Sequence, residues 1–518
     1  MIASRGSTAV IVGGTDGLGR ALAIRYLRLG WRVVVLGRTD RRATEDAAAI
    51  YLALDLTQAS SIQRIGATLS QASVEAIDAL IHCAGIGWVG DSAAQSAASI
   101  DAIVAVNFWA PAAITHQLLP LVERVQGRVA FIGSIAAFVP APHYAVYAAS
   151  KTTIDGFVRS FAQEVVGRVR VQVIHPGPIR TSFHAKAGAG SIDASRFPSV
   201  EMVADRVLRA MKRSAWRAYS DVFTAMLAGV ATRAKRLIDA IVAARTPRRG
   251  HTQPSQRDAI PVAIVTGAGS GLGAAMTIQL INAGYRVIGV DRRPLESMAA
   301  DRYARYQPLT ADLADPHGIA MIAEQAARED RLELLVHCAG TSAVGPFESA
   351  SLATLQQVLQ TNLTGPMQLT ARLLRDEHLA ARASVVFVSS LSHFVGYPGA
   401  AIYAASKDGL AHYARSLGIA LGATGGHCLT VFPGPMRTPH AVQFSPADAS
   451  EQHRMAPDQA AGKILRALAR RRVRLAVGRG ARVAMVAGLI APTFVTRIMR
   501  RMLYERLRRD ARRRGEVA

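Results

Sequence analysis

Lysine is scarce in this 518-residue chain. Of 61 basic residues only six are lysine (Lys151, Lys186, Lys212, Lys235, Lys407 and Lys463), and the rest are arginine. Cysteine is scarcer, at three (Cys83, Cys338 and Cys428). An odd, small number in a long chain excludes a disulfide framework and suits a reducing compartment. Aromatic residues make up only 6%, yet hydrophobic residues reach 50%, which excludes a disordered chain and fits a soluble α/β protein rich in Ala and Val. Acidic residues fall short of basic ones, 37 against 61, for a net charge of +24. That balance is compatible with nucleic acid, an anionic membrane or a phosphorylated ligand, and equally with an arginine-biased solvated surface. The uncharged run Val483–Thr496 is too short to span a bilayer, which needs about 20 apolar residues. The opening "MIASRGSTAVIVGG" runs almost directly into an expected strand, leaving no room for a signal peptide. A cytoplasmic location is therefore expected.

What is present is repetition. The pentapeptide YAASK occurs at Tyr147–Lys151 and at Tyr403–Lys407, 256 residues apart, each time behind a serine at the same distance. The flanking segments repeat in order. "STAVIVGGTDGLGRALAIRYLRLGWRVVVLGR" matches "PVAIVTGAGSGLGAAMTIQLINAGYRVIGVDR", "ALIHCAG" matches "LLVHCAG", and "IHPGPIRT" matches "VFPGPMRT". A period this long is a duplicated domain. The length suits two domains, with boundaries expected at 1–245 and 262–480, a polar linker at 246–261 and a basic tail at 481–518. Short apolar runs alternate with helical stretches in each copy. In the first, Ala9–Val12, Arg32–Leu36, Ala79–His82, Val129–Ile132 and Val171–Ile174 read as buried strands. Such alternation predicts βαβ units, a parallel sheet and helices on both faces.

Gly13, Gly17 and Gly19 close the first strand and open a helix, and Gly267, Gly271 and Gly273 do so in the second half. Glycines there let the backbone turn tightly and approach a pyrophosphate at the helix N-terminus. The second strand ends differently in the two copies, with Gly37 then Arg38 in the first and Asp291 then Arg292 in the second. A carboxylate accepts from both adenosine ribose hydroxyls and repels a 2′-phosphate, whereas an arginine without a neighbouring carboxylate pairs with that phosphate. The expectation is NADP(H) in the first half and NAD(H) in the second. In YAASK, Tyr and Lys at i and i+4 share a helix face. An ammonium beside a phenol favours the phenolate and is expected to lower its pKa from about 10. Such a tyrosine exchanges a proton with an alcohol or carbonyl oxygen while hydride moves to or from a nicotinamide. Ser134 and Ser390, expected after the fourth strand, are placed to hold that oxygen.

With these motifs in register twice, the chain resembles the short-chain dehydrogenase/reductase family over nearly its whole length, as two fused family domains. The resemblance implies two Rossmann-like, doubly wound parallel-sheet domains, each with an Asn–Ser–Tyr–Lys tetrad. It maps onto Asn107, Ser134, Tyr147 and Lys151, and onto Asn362, Ser390, Tyr403 and Lys407. It further implies that Thr181 and Thr438 hold the nicotinamide carboxamide and that Asp55 and Asp312 lie beside the adenine. Gly85 and Gly340 belong to the turn after the central strand. That turn reads His-Cys-Ala-Gly in both halves where the family has Asn-Asn-Ala-Gly. Cys83, Cys338, His82 and His337 are therefore expected to be packed structural residues. Val12 stands where the second half has Thr266, at the cost of one hydroxyl.

The implied activity is NAD(P)-dependent interconversion of a secondary alcohol and a carbonyl, with an active site in each half. Phe183, Phe197 and Phe444 in the variable stretches hint at a hydrophobic substrate. One alternative keeps a single catalytic half with the other as a fused dimer partner, since family members pair through the helices near Asn107 and Tyr147. A redox-sensing nucleic-acid or membrane binding protein is a further alternative, and two complete tetrads argue against it. The C-terminal segment interleaves Ile498, Met499, Met502, Leu503 and Leu507 with Arg500, Arg501, Arg506, Arg508, Arg509 and Arg512–Arg514, which suits an amphipathic helix on an anionic membrane.

Overall fold

A computed structural model describes residues 6–38, 48–189, 192–246, 260–293, 295, 304–329, 331–444, 454–478 and 480–513. Most of the expected linker (247–259), part of each variable stretch (190–191 and 445–453) and Arg514 lie outside the described residues. The chain divides into two compact units. One comprises Met1–Val89, Asp101–Val139 and Val146–Lys235, and the other Gly90–Ile100, Pro140–Ala145 and Arg236–Ala518.

The first unit is built on seven strands: β1 (Thr8–Val12), β2 (Arg32–Gly37), β3 (Ile50–Ala53), β4 (Ala79–His82), β5 (Arg128–Ile132), β6 (Arg170–His175) and β7 (Arg217–Tyr219). All pair in parallel, in the order β3-β2-β1-β4-β5-β6-β7. The five expected strands are present. β3 and β7 lie outside that expectation, because they are short edge strands with one buried residue each (Tyr51 and Ala218) and so carry no apolar run. Ser134 accordingly follows the fifth strand, not the fourth.

Both faces of the sheet are covered, which is why its strands read as unbroken apolar runs. On one face Ala9, Ile11, Val33, Val35, Ile81 and Ile132 pack with the Gly17–Arg28 and Val200–Met211 helices through Leu18, Leu22, Tyr26, Val203 and Val207. The Ala145–Glu164 helix, which carries Tyr147 and Lys151, contributes Phe157, set edge-on to Phe108 and Phe131 at 5.8 Å.

The second unit repeats the plan with β8 (Val262–Thr266), β9 (Arg286–Asp291), β10 (Tyr306–Thr310), β11 (Leu332–His337), β12 (Leu379–Val388), β13 (His427–Pro433) and β14 (Arg474–Val477). Their order is β10-β9-β8-β11-β12-β13-β14, again all parallel. In each sheet the order reverses beside the first strand, opening a crevice at the carboxyl ends where doubly wound folds bind ligands.

The Gly-rich turn fixes how the first helix meets that crevice. Gly267 has φ +73°, and a Cβ on Gly273 would stand well inside contact distance of the Gly267 carbonyl oxygen. Only glycine at these positions lets the Gly271–Asn282 helix start against the end of β8.

Beyond β14 run the helices Ala481–Ile490, Pro492–Met499 and Glu505–Arg513. Met485, Val495 and Met499 pack on Phe394 and Phe432, and Tyr504 and Leu507 are buried. The expected amphipathic face is thus divided. Met499 and Leu507 turn inward, while Val483, Ile490, Phe494 and Met502 remain more than half exposed.

Gly273→Ala is expected to lower the stability of the second unit by about 2–4 kcal/mol, because the new methyl meets fixed backbone. Gly422→Ala, at a helical site where a Cβ meets nothing within 4 Å, is expected to be neutral or stabilising by up to about 1 kcal/mol. Urea unfolding of the two variants checks the contrast.

Candidate active site

The tetrad positions of each half converge at the carboxyl ends of the strands. Asn107 is fully buried in a π-helical turn, Ala105–Trp109, and Asn362 sits in the matching turn Gln360–Thr364. Widened turns of this kind recur at functional positions. Asn107 Oδ1 accepts from the Ile86 N–H at 2.8 Å, and its Nδ2 donates to the Ile86 carbonyl and to Ser150 Oγ, both at 2.9 Å. Asn362 repeats this with Thr341 and Ser406. The asparagine thereby ties the loop after the fourth strand of its sheet to the helix of the tyrosine.

Lys151 Nζ donates to the Ile132 carbonyl at 3.0 Å, and Lys407 Nζ to the Val388 carbonyl at 3.0 Å. Both ammonium groups are buried, and desolvation brings each pKa down to about 8. Gly85 and Gly340 lie against them, since a Cβ there would stand 3.4 and 3.2 Å from the two Nζ atoms.

Lys151 Nζ is 5.9 Å from the centre of the Tyr147 ring. Burial pushes the Tyr403 phenol above its usual pKa, and its hydrogen bond with the Ser390 side chain offsets part of that rise. The expectation of a lowered phenol pKa is therefore corrected at Tyr403. The lysine is itself desolvated and turned to a carbonyl, so burial dominates. Ser134 Oγ accepts from the Ala136 N–H and Ser390 Oγ from the Ser392 N–H, each at 3.2 Å.

A cleft of about 670 Å³ runs through the second unit from Asp291 and Asp312, past Gly267 and Gly271, to Tyr403 and Thr438. Asp291 accepts from the Gly269 and Arg293 N–H groups at 2.9 and 3.0 Å, and Arg292 faces Asp312 at 3.9 Å. Thr438 lies over the turn, its Cγ2 3.1 Å from where a Cβ on Gly271 would stand. Glycine N–H groups, a helix N-terminus and an acid at the strand end are the donor and acceptor set of a dinucleotide, and the volume suffices for one. In the first unit Gly13 and Gly17 have φ +80° and +50°, Gly19 packs on the Gly13 carbonyl, and Thr181 overhangs Gly17, its Cγ2 3.6 Å from where a Cβ there would stand. Asp55 accepts from the Thr57 N–H and hydroxyl, which hold its carboxyl below the usual range, with Arg38 adding to the effect.

His82 and His337 are buried, bonded to Thr115 and Thr370 at 2.9 Å and stacked on Phe131 and Phe387. Burial drops both to about 3, so they are neutral, and it lifts Cys83 and Cys338 to about 12. The hydroxyl missing at Val12 is compensated by backbone. Thr266 Oγ1 accepts from the Ala339 N–H in the second half, and the Val12 carbonyl accepts from Ala84 in the first.

Several residues near the sites carried no sequence signal. Behind Ser134, Arg217 forks onto the buried Asp155, and Asp155 meets His175 Nε2 at 3.1 Å. On the other side of the ring, His175 Nδ1 lies 3.1 Å from the Ser134 backbone nitrogen and 3.0 Å from its carbonyl oxygen. The second half has a His–Asp pair at other positions, His393 Nδ1 and Asp408 at 3.0 Å, and the His393 N–H donates to the Ser390 carbonyl at 3.2 Å. On the substrate side Phe183 lies 5.2 Å from the Tyr147 ring and His440 6.1 Å from the Tyr403 ring. Phe444 lies tilted against His440 at 4.8 Å, and Phe197 against His184 at 5.5 Å. Asp155, His175 and Arg217 are distant in the chain and share no spacing that a single sequence displays, whereas Phe183, Phe197 and Phe444 are the aromatic residues singled out in the variable stretches.

The family model "short chain dehydrogenase" matches residues 7–191 and again 261–449. The Drosophila melanogaster protein "Dehydrogenase/reductase SDR family protein 7-like" is 32% identical over 231 residues, covering 40% of this chain and 70% of its own. Two solved structures follow nearly the whole chain. The N-domain of bacterial malonyl-CoA reductase, solved with NADP, has a TM-score of 0.62 at 17% identity and covers 91% of this chain and 97% of its own. An N-terminal ketoreductase from the macrolactin assembly line has a TM-score of 0.60 at 11% identity, covering 93% and 89%. At those identities the likeness is one of fold, a tandem of two such domains.

The buried lysine has a readable cost. Its folded pKa of about 8 lies below the unfolded value of 10.5, so the folded state disfavours the ammonium and loses on the order of 3 kcal/mol below pH 8. That loss is relieved as pH rises from about 8 toward 10.5. Lys407→Met, which also forfeits one hydrogen bond, is expected to be more stable than the parent by about 1–2 kcal/mol at pH 7. The advantage should vanish by about pH 10. Denaturant titrations at the two pH values measure it.

Proposed function

Because this chain belongs to the short-chain dehydrogenase family and is an oxidoreductase of that family, we propose that each half is a working NAD(P)-dependent site interconverting a secondary alcohol and a carbonyl. The observation that carries the reading is the doubled convergence of Asn, Ser, Tyr and Lys beside a glycine turn suited to a dinucleotide. Tyr403 acts on the substrate oxygen. Raised by burial and bonded to Ser390, its phenol remains protonated and donates to a carbonyl oxygen in the reducing direction. In the oxidising direction the phenolate takes the hydroxyl proton, and the Lys407 ammonium stabilises that anion. Ser390 and Ser134 orient the oxygen, and Asn362 and Asn107 hold the adjoining loop. A bound nicotinamide supplies or accepts the hydride. Gly267, Gly271 and Gly273, with their counterparts Gly13, Gly17 and Gly19, receive the pyrophosphate, and Thr181 and Thr438 the carboxamide.

The cofactors are assigned as NADP(H) in the first half and NAD(H) in the second, on the contrast between Gly37–Arg38 and Asp291–Arg292. The rings of Phe183 and Phe197, and of His440 and Phe444, favour a hydrophobic substrate. With a different cofactor in each half, one chain can oxidise an alcohol at one site and reduce a ketone at the other, inverting a stereocentre or running two steps in sequence. The free cysteines fit a cytoplasmic setting. A peripheral membrane contact is favoured by the exposed Val483, Ile490, Phe494 and Met502 among Arg482, Arg497, Arg500 and Arg501.

The test is a pair of variants assayed with NADPH and a panel of apolar ketones, and with NAD+ and the matching alcohols. Tyr147→Phe is expected to lower the NADPH-dependent rate about 10²- to 10⁴-fold, and Tyr403→Phe the NAD-dependent rate by the same factor. Each should spare the other reaction. Loss of both reactions on changing one tyrosine would instead make the other half a scaffold. For the membrane contact, the full chain should co-sediment with vesicles containing phosphatidylserine and release at high salt, and Phe494→Asp should weaken this. Equal recovery with phosphatidylcholine vesicles alone, or no recovery with either, would refute it.

A further inference from the structure

The two halves differ at the adenosine end by a reciprocal exchange of side chains. In the first, β2 ends in Gly37 and the Gly-rich turn carries Thr15. In the second, β9 ends in Asp291 and the turn carries Gly269. A Cβ on Gly37 would stand 2.6 Å from Thr15 Cγ2 and 3.1 Å from its Oγ1. Real side-chain carbons do not approach so closely, so the threonine fills the space that a carboxylate at the strand end would need. In the second half a Cβ on Gly269 would stand 2.9 Å from Asp291 Cγ. The bare Gly269 instead donates its N–H to Asp291 Oδ2 at 2.9 Å. One volume is filled from the turn in one half and from the strand in the other.

The arginine after the strand does not distinguish the halves. Arg38 and Arg292 both follow it, and both face an acid, Asp55 and Asp312 respectively. What differs is the residue pair. We propose that Thr15 is a specificity-determining residue for the nucleotide of the first half, acting together with Gly37. It occupies the place of the ribose-binding carboxylate, keeps the strand end uncharged and presents a hydroxyl donor where a 2′-phosphate would lie beside Arg38. This deepens the cofactor assignment above and rests on it. The exchange is also directional. Removing Thr15 opens room for a carboxylate, whereas a Cβ on Gly269 would run into the Arg293 backbone carbonyl as well as Asp291.

The test counts NADPH-preferring and NADH-preferring sites by calorimetry on the full-length chain, with the second half as an internal control of folding. The parent should show one site of each kind. Thr15→Gly should keep its NADPH-preferring site, weakened about three- to tenfold by the lost donor. Gly37→Asp alone should lose that site without gaining an NADH site, because the new side chain meets Thr15. The double variant Thr15→Gly/Gly37→Asp should bind NADH at two sites, its first-half preference moved at least tenfold toward NADH. A single Gly37→Asp that gains the second NADH site as fully as the double variant would overturn the role of Thr15. So would a double variant that binds no NADH in the first half while the second half still binds. A parent with two NADH sites, or two NADPH sites, would overturn the cofactor assignment itself and this proposal with it.

Discussion

The architecture of each half depends on one close approach of backbone to backbone, where the last glycine of the turn packs on the carbonyl of the first. Gly19 lies on Gly13 and Gly273 on Gly267, with no room for a methyl group between them. That contact sets the first helix directly against the end of the first strand, its N-terminus toward the crevice. The strand order reverses at the same place, so the crevice, the helix terminus and the loop carrying Gly85 or Gly340 meet there. Everything that reads as cofactor chemistry is arranged around this contact.

Against that scaffold the buried lysines show what the sites cost. An ammonium drawn out of water and given a single carbonyl is a destabilising element by any reckoning of desolvation. Both halves keep it, in the same geometry, although lysine is nearly missing from the rest of the chain. The supports behind it have diverged. Ser134 is backed by Arg217, Asp155 and His175, whereas the buried His–Asp pair of the second half, His393 and Asp408, stands at non-equivalent positions and reaches Ser390 through the His393 backbone N–H. Burial of a polar network demands partners for every member, and each half has found its own.

Much of this was legible in the sequence, for reasons that are local. Doubly covered strands read as apolar runs, and the glycine turn and the YAASK helix have short, rigid spacings, so the sheet and its repetition could be read from letters alone, while the set of Asn, Ser, Tyr and Lys came from the family resemblance. Edge strands β3 and β7 could not, because only one residue in each is buried. Asp155, Arg217 and His175 lie too far apart in the chain to form a motif, and the Thr15–Gly37 exchange is visible only as filled volume. At Tyr403 the shift runs opposite to the expected sign. An i, i+4 lysine argues for a lowered pKa on paper, while in the fold both groups are desolvated and burial prevails.

The central claim is that one chain holds two complete redox sites distinguished by nucleotide. A crystal structure of the full-length chain grown with NADP+ and NAD+ together, both in excess, addresses it directly. The account predicts density for a 2′-phosphate beside Arg38 and Thr15, and in the second half a nucleotide whose ribose hydroxyls meet Asp291 with no phosphate. The same nucleotide in both halves, or one half empty at saturating concentrations, would contradict it.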